Sequence, residues 1–118
     1  MKDKNKLKKN NFVRRQRRSR AKITGTASKP RVSVFRSLMH ISVQAIDDIE
    51  RKTLLAVSDK TITAKGNKTE KAALLGEDFG KKLKDKKIES IIFDKGAYKY
   101  HGRVKALADG IRKADINF

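Results

Sequence analysis

The stretch RVSVFRSLMHISVQAID, Arg31 to Asp47, alternates apolar and polar side chains on both sides of a short turn at Ser37–Met39. Alternation with a period of two places successive side chains on opposite faces of a strand. One face then carries five apolar residues: Val32, Val34, Ile41, Val43 and Ala45. The stretch therefore predicts two antiparallel strands with one face turned toward a core.

Downstream of this pair, a third strand is predicted from Thr53 to Asp59, and the spacing of apolar residues then becomes helical. A first helix is expected after Asn67, which suits an N-cap because its side chain can accept a hydrogen bond from the first turn. The apolar stripe of this helix is Ala72, Leu75, Phe79 and Leu83. Gly76 and Gly80 each cost about 1 kcal/mol relative to alanine in a helix, which indicates that the helix backbone lies close against the sheet.

A fourth strand, Ile88 to Asp94, is apolar enough to be central, and a second helix follows the loop Lys95–Gly102. The apolar stripe of that helix is Val104, Leu107, Ala108 and Ile111. Ile116 to Phe118 is expected to add a short terminal packing segment. A right-handed crossover brings strand four parallel to strand one. We therefore expect an α/β fold of order β-β-β-α-β-α, with a mixed four-stranded sheet in the order 3-2-1-4 and both helices on one face.

Positive charge is concentrated at the N-terminus. The chain has a formal charge of +18, from 31 Lys+Arg against 13 Asp+Glu, and roughly +10 of it lies between Met1 and Lys22. Residues 1–29 are therefore predicted to form a basic arm and linker, and residues 30–118 a globular domain. Alone, the arm is expected to be disordered, because few apolar side chains offset the ordering entropy and like charges repel. Bound phosphates would remove the repulsion and allow a helix.

Composition also limits the class of protein. The chain has no cysteine, which excludes disulfides and thiolate metal sites and suits a reducing cytoplasm. No apolar run approaches the ~20 residues that cross a membrane, and the basic N-terminus lacks the apolar stretch of a secretory signal. A strongly basic chain favours a polyanionic partner, nucleic acid first and an acidic membrane surface second.

The arm is the clearest candidate for phosphate binding. Each neutralised phosphate releases counterions, so many contacts give a steep salt dependence, and arginine adds bidentate hydrogen bonds and stacking that lysine cannot match. The alternative is a solvated tail that only maintains solubility, which the density of arginine disfavours. The candidate residues are Arg14, Arg15, Arg17, Arg18, Arg20 and Lys22.

Two further surfaces are candidates. The second face of the strand pair carries polar side chains and one aromatic, Phe35, and is either an RNA platform or an ordinary solvated face. The loop before the second helix places backbone N–H groups of Gly102 and Arg103 at the positive end of a helix dipole, which accepts phosphate. Tyr98, Tyr100 and His101 either bind RNA there, or the tyrosines pack on the sheet edge and His101 caps the helix. Both alternatives are true at once if one tyrosine packs on the sheet edge and the other binds RNA.

Catalysis has little support in the residues. No G-x-S-x-G motif presents a serine nucleophile, and His40 and His101 lack metal-ligand spacing. The predicted order of elements also occurs in ribonuclease-H-like nucleases, where carboxylates hold divalent metals. Asp94 would be one ligand, but the first strand offers no second carboxylate. A nuclease is therefore disfavoured, and a general nucleic-acid-condensing protein is the stronger alternative to a specific RNA binder.

Two blocks of sequence carry a family resemblance. Arg31 to Asp47 fits R-x-x-x-x-R-S/T followed by H-I-x-x-Q. FDKGAYKYHGRVKALADGIRKADINF, Phe93 to Phe118, fits a C-terminal signature F-D-[RK]-x-x-[YF]-x-Y-H-G-R-V-x-A-L-A-D that closes on an aromatic residue. GNKTEKAALLG and the arginine-rich arm also fall where this family has counterparts. On these motifs the chain resembles bacterial large-subunit ribosomal protein eighteen, a 5S rRNA-binding family, over essentially its whole length.

The chain departs from the family pattern at a few positions. Ser42 stands where tyrosine is usual, which removes an aromatic from that strand. Leu38 and Met39 replace a more polar turn, and Asp115 stands where a glycine often ends the last helix.

The resemblance implies a structural, non-enzymatic protein of the cytoplasmic ribosome, without a cofactor or a small-molecule substrate. It implies binding to 5S rRNA together with large-subunit protein five, and attachment of that RNA to 23S rRNA in the central protuberance. The site residues that it implies, with those of the arm, are Arg31, Arg36, His40, Gln44, Lys95, Tyr98, Tyr100, His101, Gly102 and Arg103.

Overall fold

The structure is a computed structural model that describes residues 4–20, 23–62, 66–96 and 98–118. The helices are α1 (Lys4–Arg20), α2 (Lys68–Asp85) and α3 (Arg103–Lys113). The strands are β1 (Arg31–Arg36), β2 (Ile41–Asp47), β3 (Lys52–Ser58) and β4 (Ile92–Asp94), and a short 3-10 helix at Asp59–Thr61 follows β3.

The four strands form one sheet in the order β3-β2-β1-β4, which confirms the order expected from the sequence. β2 pairs antiparallel with both β1 and β3, whereas β4 pairs parallel to β1. Val34 lies opposite Val43 across the β1–β2 pair, so the two apolar stripes meet on the same face. The pairing of β2 with β3 shifts register between Ala45 and Ile46.

One hydrophobic core joins the sheet to two helices. The alternating residues of β1 and β2 are buried, and they belong to the same cluster as the apolar stripes of α2 and α3. Both helices therefore cover one face of the sheet, as expected. Asn67 caps α2 as the sequence predicted, because its Oδ1 accepts a hydrogen bond of 2.8 Å from the backbone N–H of Glu70.

The fourth strand is shorter than expected. β4 lies at the edge of the sheet, as the predicted order requires, although its apolar run alone suggested a central strand. The preceding residues Ile88 and Ile91 are buried outside the strand, and an apolar run does not distinguish these two kinds of burial. Ser90 forms a parallel bridge with Asn117, whose backbone exchanges hydrogen bonds with Glu89 and Ile91. This confirms the terminal packing segment.

The glycines of α2 permit a close backbone approach, but to α3 and not to the sheet. A Cβ atom on Gly76 would lie 2.2 Å from the carbonyl oxygen of Leu107, and one on Gly80 would lie 2.5 Å from the Cβ of Ala114. On the opposing helix, a Cβ on Gly110 would lie 2.3 Å from the carbonyl oxygen of Ala73. The three glycines therefore set the separation of the two helices.

The N-terminal arm is helical in this structure, whereas the sequence predicted a helix there only with RNA bound. The ring of Phe12 packs edge-on against that of Tyr98, with centroids 5.6 Å apart. This contact attaches α1 to the globular domain. None of the helices within the described ranges is long and apolar enough to cross a membrane.

Candidate nucleic-acid interface

Tyr98 fixes the loop before α3 to the end of β1. Its hydroxyl donates a hydrogen bond to the carbonyl oxygen of Arg36 and accepts one from the backbone N–H of Arg36, each 3.1 Å long. The guanidinium of Arg36 lies 5.3 Å from the centroid of the Tyr98 ring. Since Phe12 contacts the same ring, Tyr98 joins three parts of the chain: α1, β1 and the loop.

Tyr100 packs at the opposite side of the loop. Its ring meets that of Phe93 edge-on at 6.1 Å, and its hydroxyl accepts a hydrogen bond of 3.2 Å from Nη1 of Arg112. The guanidinium of Arg112 also covers the ring of Phe118 at 4.2 Å. Both tyrosines therefore pack, although Tyr100 keeps an exposed surface. The same side of the domain contains the exposed Lys95.

The start of α3 is open to solvent. Gly102 is the N-cap residue, with φ 58° and ψ −123°, a left-handed φ that glycine adopts without strain. Gly102 rather than His101 occupies the N-cap position, and no side-chain hydrogen bond forms at this cap, so the alternative in which His101 caps the helix is wrong. The first N–H groups of a helix have no intrahelical partners, and with the helix dipole they favour an anion.

Arg103 connects this helix start to the turn between β1 and β2. Its Nη2 donates a 2.5 Å hydrogen bond to the carbonyl oxygen of Ser37, and the neighbouring carbonyl of Leu38 accepts one from Nζ of Lys68. Nη1 of Arg103 is buried and finds no hydrogen-bond partner in the described part of the chain. The guanidinium thus stabilises the turn through Nη2, while its Nη1 donor has no partner among the described residues.

The cationic groove is the open groove between α1 and the loop before α3. Seven residues line it: Phe12, Arg15, Arg36, Tyr98, Lys99, His101 and Gly102. It brings together candidates from three separate stretches of sequence. Arg36 also borders a second groove, which it shares with Ser37, Leu38, Lys68 and Arg103. The two grooves therefore adjoin at Arg36.

The arginines of α1 extend this positive surface. Arg14, Arg15, Arg17 and Arg18 are all exposed. The spacing i, i+3, i+4 places Arg14, Arg17 and Arg18 on one side of the helix, while Arg15 borders the cationic groove. The structure describes only the backbone of Arg20, and Lys22 lies outside the described residues.

Three residues of this region were missed by the sequence analysis. Phe12 is the only aromatic residue of the arm and Lys99 stands between two tyrosines, and both positions are signals that were available. Lys68 begins α2, and nothing in its local sequence indicates that it reaches the turn of the first two strands.

Arg31 belongs to the framework of the domain rather than to the exposed surface. Its Nε and Nη2 donate to the two carboxylate oxygens of Asp48, and its Nη1 donates to Asp94, each at 3.0 Å. The side chain is only 11% exposed. The hydrogen bond with Asp48 contributes most to raising the pKa of Arg31 above its usual value, and that with Asp94 adds to it. Burial of the side chain opposes this rise.

The same network anchors the linker that leads from α1. Asp48 accepts a 2.7 Å hydrogen bond from the backbone N–H of Gly25 and its own N–H donates to the carbonyl of Gly25. Asp94 is buried and also accepts from the backbone N–H of Gly96, at the start of the candidate loop. Arg31 therefore ties both the linker and the loop to the sheet.

Replacing Asp94 with asparagine is expected to lower the free energy of unfolding by about 2 kcal/mol, because a buried charge-assisted bond to Arg31 is weakened. Urea denaturation of the purified chain measures it. Asp78→Asn is the matched control: Asp78 pairs with Lys82 on the surface of α2, where an ion pair contributes about 0.5 kcal/mol or less. Equal effects of the two substitutions would contradict a framework role for the Arg31 network.

His40 and Gln44 lie apart from the cationic groove. Nδ1 of His40 is 3.0 Å from Oδ1 of Asp59, and the ring borders a shallow groove with the exposed Phe35. Gln44 is exposed on β2, on the polar face of the sheet. These two candidates therefore belong to a separate surface from the arm and the loop.

Asp94, the residue weighed as a metal ligand, is engaged by Arg31 and by Gly96. Within the described ranges, no three His, Cys, Asp or Glu side chains form a group that could hold a metal ion. The arrangement of the described residues suits binding of a polyanion.

Comparison with known proteins gives consistent matches. Residues 6–118 match the family model described as "Ribosomal L18 of archaea, bacteria, mitoch. and chloroplast". The large ribosomal subunit protein uL18 of Lactobacillus johnsonii is 47% identical over 118 residues, which cover 98% of this chain and 96% of the relative. The protein of the same name from Treponema denticola is 49% identical over 89% of this chain and 89% of its own length. That from Sulfurimonas denitrificans is 49% identical over 92% of this chain and 91% of its own length. Each match spans most of both chains.

Proposed function

This chain belongs to the ribosomal L18 family, and we propose that it is a structural, non-enzymatic protein of the large ribosomal subunit that binds 5S rRNA. In this proposal it acts with large-subunit protein five and helps attach 5S rRNA to 23S rRNA in the central protuberance. Its place in the cell is then the cytoplasmic ribosome. Its partners are the two RNAs and that protein, and it needs no cofactor, small-molecule substrate or membrane.

The observation that carries this proposal is the cationic groove beside the uncapped start of α3. Arg15, Arg36 and Lys99 reach it from three parts of the chain, and Arg103 adds a charge at the helix start. A phosphate at Gly102 would accept hydrogen bonds from backbone N–H groups. The exposed arginines of α1 would follow the backbone of the same RNA, where each contact adds to affinity and to salt dependence.

The rigid mounting of the groove favours a shaped RNA over polyanions in general. The hydroxyl of Tyr98 fixes the loop to β1, and the Arg31 network fixes the linker and the loop to the sheet. Charges held in a fixed arrangement complement one spacing of phosphates better than others. A general nucleic-acid-condensing protein needs no such arrangement, because charge density alone supplies nonspecific binding.

A competition assay tests the proposal. Labelled 5S rRNA bound to the chain is challenged with unlabelled 5S rRNA, with transfer RNA, and with duplex DNA of similar length, at roughly 0.2 M salt, where nonspecific contacts weaken greatly. We expect 5S rRNA to compete at least ~100-fold better than the duplex, within the ordinary range of specificity ratios. Equal competition by all three would support the condensing protein instead.

Arg103→Ala is expected to weaken 5S rRNA binding by about tenfold, the equivalent of one charge-assisted phosphate contact, while unfolding stays cooperative. Filter binding and thermal denaturation measure the two effects. Lys105→Ala is the matched control, because Lys105 is an exposed cation two residues farther along α3. A collapse of the melting temperature for Arg103→Ala, or equal loss of affinity in both variants, would contradict a phosphate contact at the helix start.

A further inference from the structure

Two large apolar side chains stand at the tip of the turn between β1 and β2. Leu38 is 86% exposed and Met39 is 69% exposed. We call this pair the apolar tip. Single exposed apolar residues are common on proteins, but these two are adjacent, and neither side chain is buried in the core.

Hydrogen bonds hold the turn in one shape. The backbone N–H of Ser37 donates to the carbonyl oxygen of His40 at 2.8 Å, and the N–H of His40 donates to Oγ of Ser37 at 3.1 Å. Arg103 and Lys68 donate to the carbonyl oxygens of Ser37 and Leu38. The backbone beneath the apolar tip is therefore ordered before any partner arrives, which reduces the entropy lost on binding.

The surroundings of the apolar tip are positive. Leu38 shares a groove with Arg36, Lys68 and Arg103. One acid, Asp59, is hydrogen-bonded to the residues that follow the turn. Its side chain is largely buried, and its carboxylate accepts from His40 and from the N–H of Ile41. An occupant of this surface must therefore combine negative charge with flat or apolar surface.

Unpaired nucleotides of RNA have that combination. Their phosphates are negative, and the faces of unstacked bases are apolar and pack against protein side chains. The groove beside the apolar tip adjoins the cationic groove at Arg36, so one RNA can reach both. An acidic protein would satisfy the charge but not this continuity with the proposed RNA surface.

We propose that Leu38 and Met39 pack against the faces of unpaired bases in the RNA that the cationic groove binds. This inference rests on the proposed function and adds to it a contact that is independent of charge. Phosphate contacts made by arginine and lysine give affinity that falls with salt. Burial of the apolar tip would give affinity that salt leaves nearly unchanged, together with a more negative heat-capacity change on binding.

The double variant L38S/M39S tests the inference by titration against 5S rRNA at several salt concentrations and temperatures. Its affinity is expected to fall by about tenfold, as expected for loss of two partly buried apolar side chains. The slope of log K against log salt should stay the same and the heat-capacity change of binding should become less negative. Leu38→Phe, which keeps an apolar side chain and makes it flat enough to stack on a base, should bind at least as tightly as the original chain.

Ile49→Ser is the matched control. Ile49 is 67% exposed in the turn at the other end of β2, so its loss removes a similar apolar surface away from the groove. Because all three substituted side chains are exposed, the variants should keep the original melting temperature. Affinity equal to that of the original chain in L38S/M39S would overturn the inference and leave a protein neighbour as the occupant of the turn.

Failure of the proposed function gives a different result. A chain that does not prefer 5S rRNA to duplex DNA would remove both the proposal and this inference. A chain that keeps the preference, but whose affinity and heat-capacity change are unaffected by L38S/M39S, removes the inference alone.

Discussion

Gly76→Ala is expected to lower the free energy of unfolding by about 3 kcal/mol, although alanine is the better helix former by about 1 kcal/mol. The added methyl group would lie 2.2 Å from the carbonyl oxygen of Leu107 and 3.0 Å from the backbone nitrogen of Ile111. Both neighbours are backbone atoms, which cannot turn aside as a flexible side chain does. The two helices would have to separate, and the core beneath them would lose its packing. Urea denaturation measures the loss.

Lys81→Ala is the control for helix propensity, because Lys81 is exposed on the same helix. Its effect on the free energy of unfolding should stay within about 0.5 kcal/mol, as is usual for surface substitutions. If Gly76→Ala instead stabilised the chain as propensity alone predicts, the close approach of α2 to α3 would be wrong. The predicted loss is a large part of the 5–15 kcal/mol that is typical of a whole domain.

The sheet was predictable because its signals are local. The alternation in Arg31 to Asp47 determines which side chains face the core, and a slip of one residue would expose all of them. The connection between β1 and β2 is too short for the crossover that a parallel pair needs, so these two strands must be antiparallel. The change to helical spacing after Asn67 predicts a helical crossover before β4, and such crossovers are almost always right-handed. These rules gave the order β3-β2-β1-β4 that the structure has.

The partners of buried groups were less predictable, because a pattern shows that a residue is buried but not what it contacts. Gly76 indicated a close approach, yet the approaching backbone belongs to α3, which comes about thirty positions later in the chain. The run Ile88 to Asp94 looked like a central strand, but only Ile92–Asp94 forms one. Ile88 and Ile91 are buried outside the strand, and an apolar run does not distinguish the two kinds of burial. Arg31 looked like a surface cation, because its partners Asp48 and Asp94 are distant in sequence.

The resemblance to large-subunit protein eighteen, drawn from two motifs, is confirmed by the match of residues 6–118 to the ribosomal L18 family model. One of the departures it showed has a physical counterpart. Asp115, which stands where the family often has glycine, has a φ of 66° just after α3. That left-handed conformation costs a side chain about 1 kcal/mol. The family pattern thus located a backbone constraint that the single sequence could not show.

The candidate site was predictable in its loop and not in its assembly. Tyr98, His101 and Gly102 stand close together in the sequence and were identified as one cluster. Phe12 and Lys68 join the same region from distant positions, through a ring contact and a hydrogen bond to a carbonyl oxygen. Neither contact leaves a periodic signal, so only the three-dimensional structure shows that Phe12 borders the cationic groove and Lys68 the groove beside it.

Replacing Arg14, Arg15, Arg17 and Arg18 together with alanine is expected to flatten the salt dependence of 5S rRNA binding by about three to four units in log K against log salt. Near 0.15 M salt, affinity should fall roughly 10²- to 10³-fold, because four phosphate contacts and their counterion release are lost. All four side chains are exposed on α1, so the thermal stability of the globular domain should hardly change. Binding isotherms at five or more salt concentrations give the slope.

The corresponding quadruple lysine variant separates charge from geometry. Lysine keeps each positive charge, so the salt slope should stay within about one unit of that of the original chain. It loses the bidentate hydrogen bonds and the planar stacking of the guanidinium, so affinity should fall by an intermediate amount, about tenfold. If the alanine variant kept the full slope, α1 would not contact the RNA backbone, and the cationic groove would have to account for binding without it. If the lysine variant lost as much affinity as the alanine variant, the hydrogen-bonding geometry of arginine rather than its charge would dominate the contact. We do not expect this result, because four like charges on an exposed helix attract a polyanion whichever cation carries them.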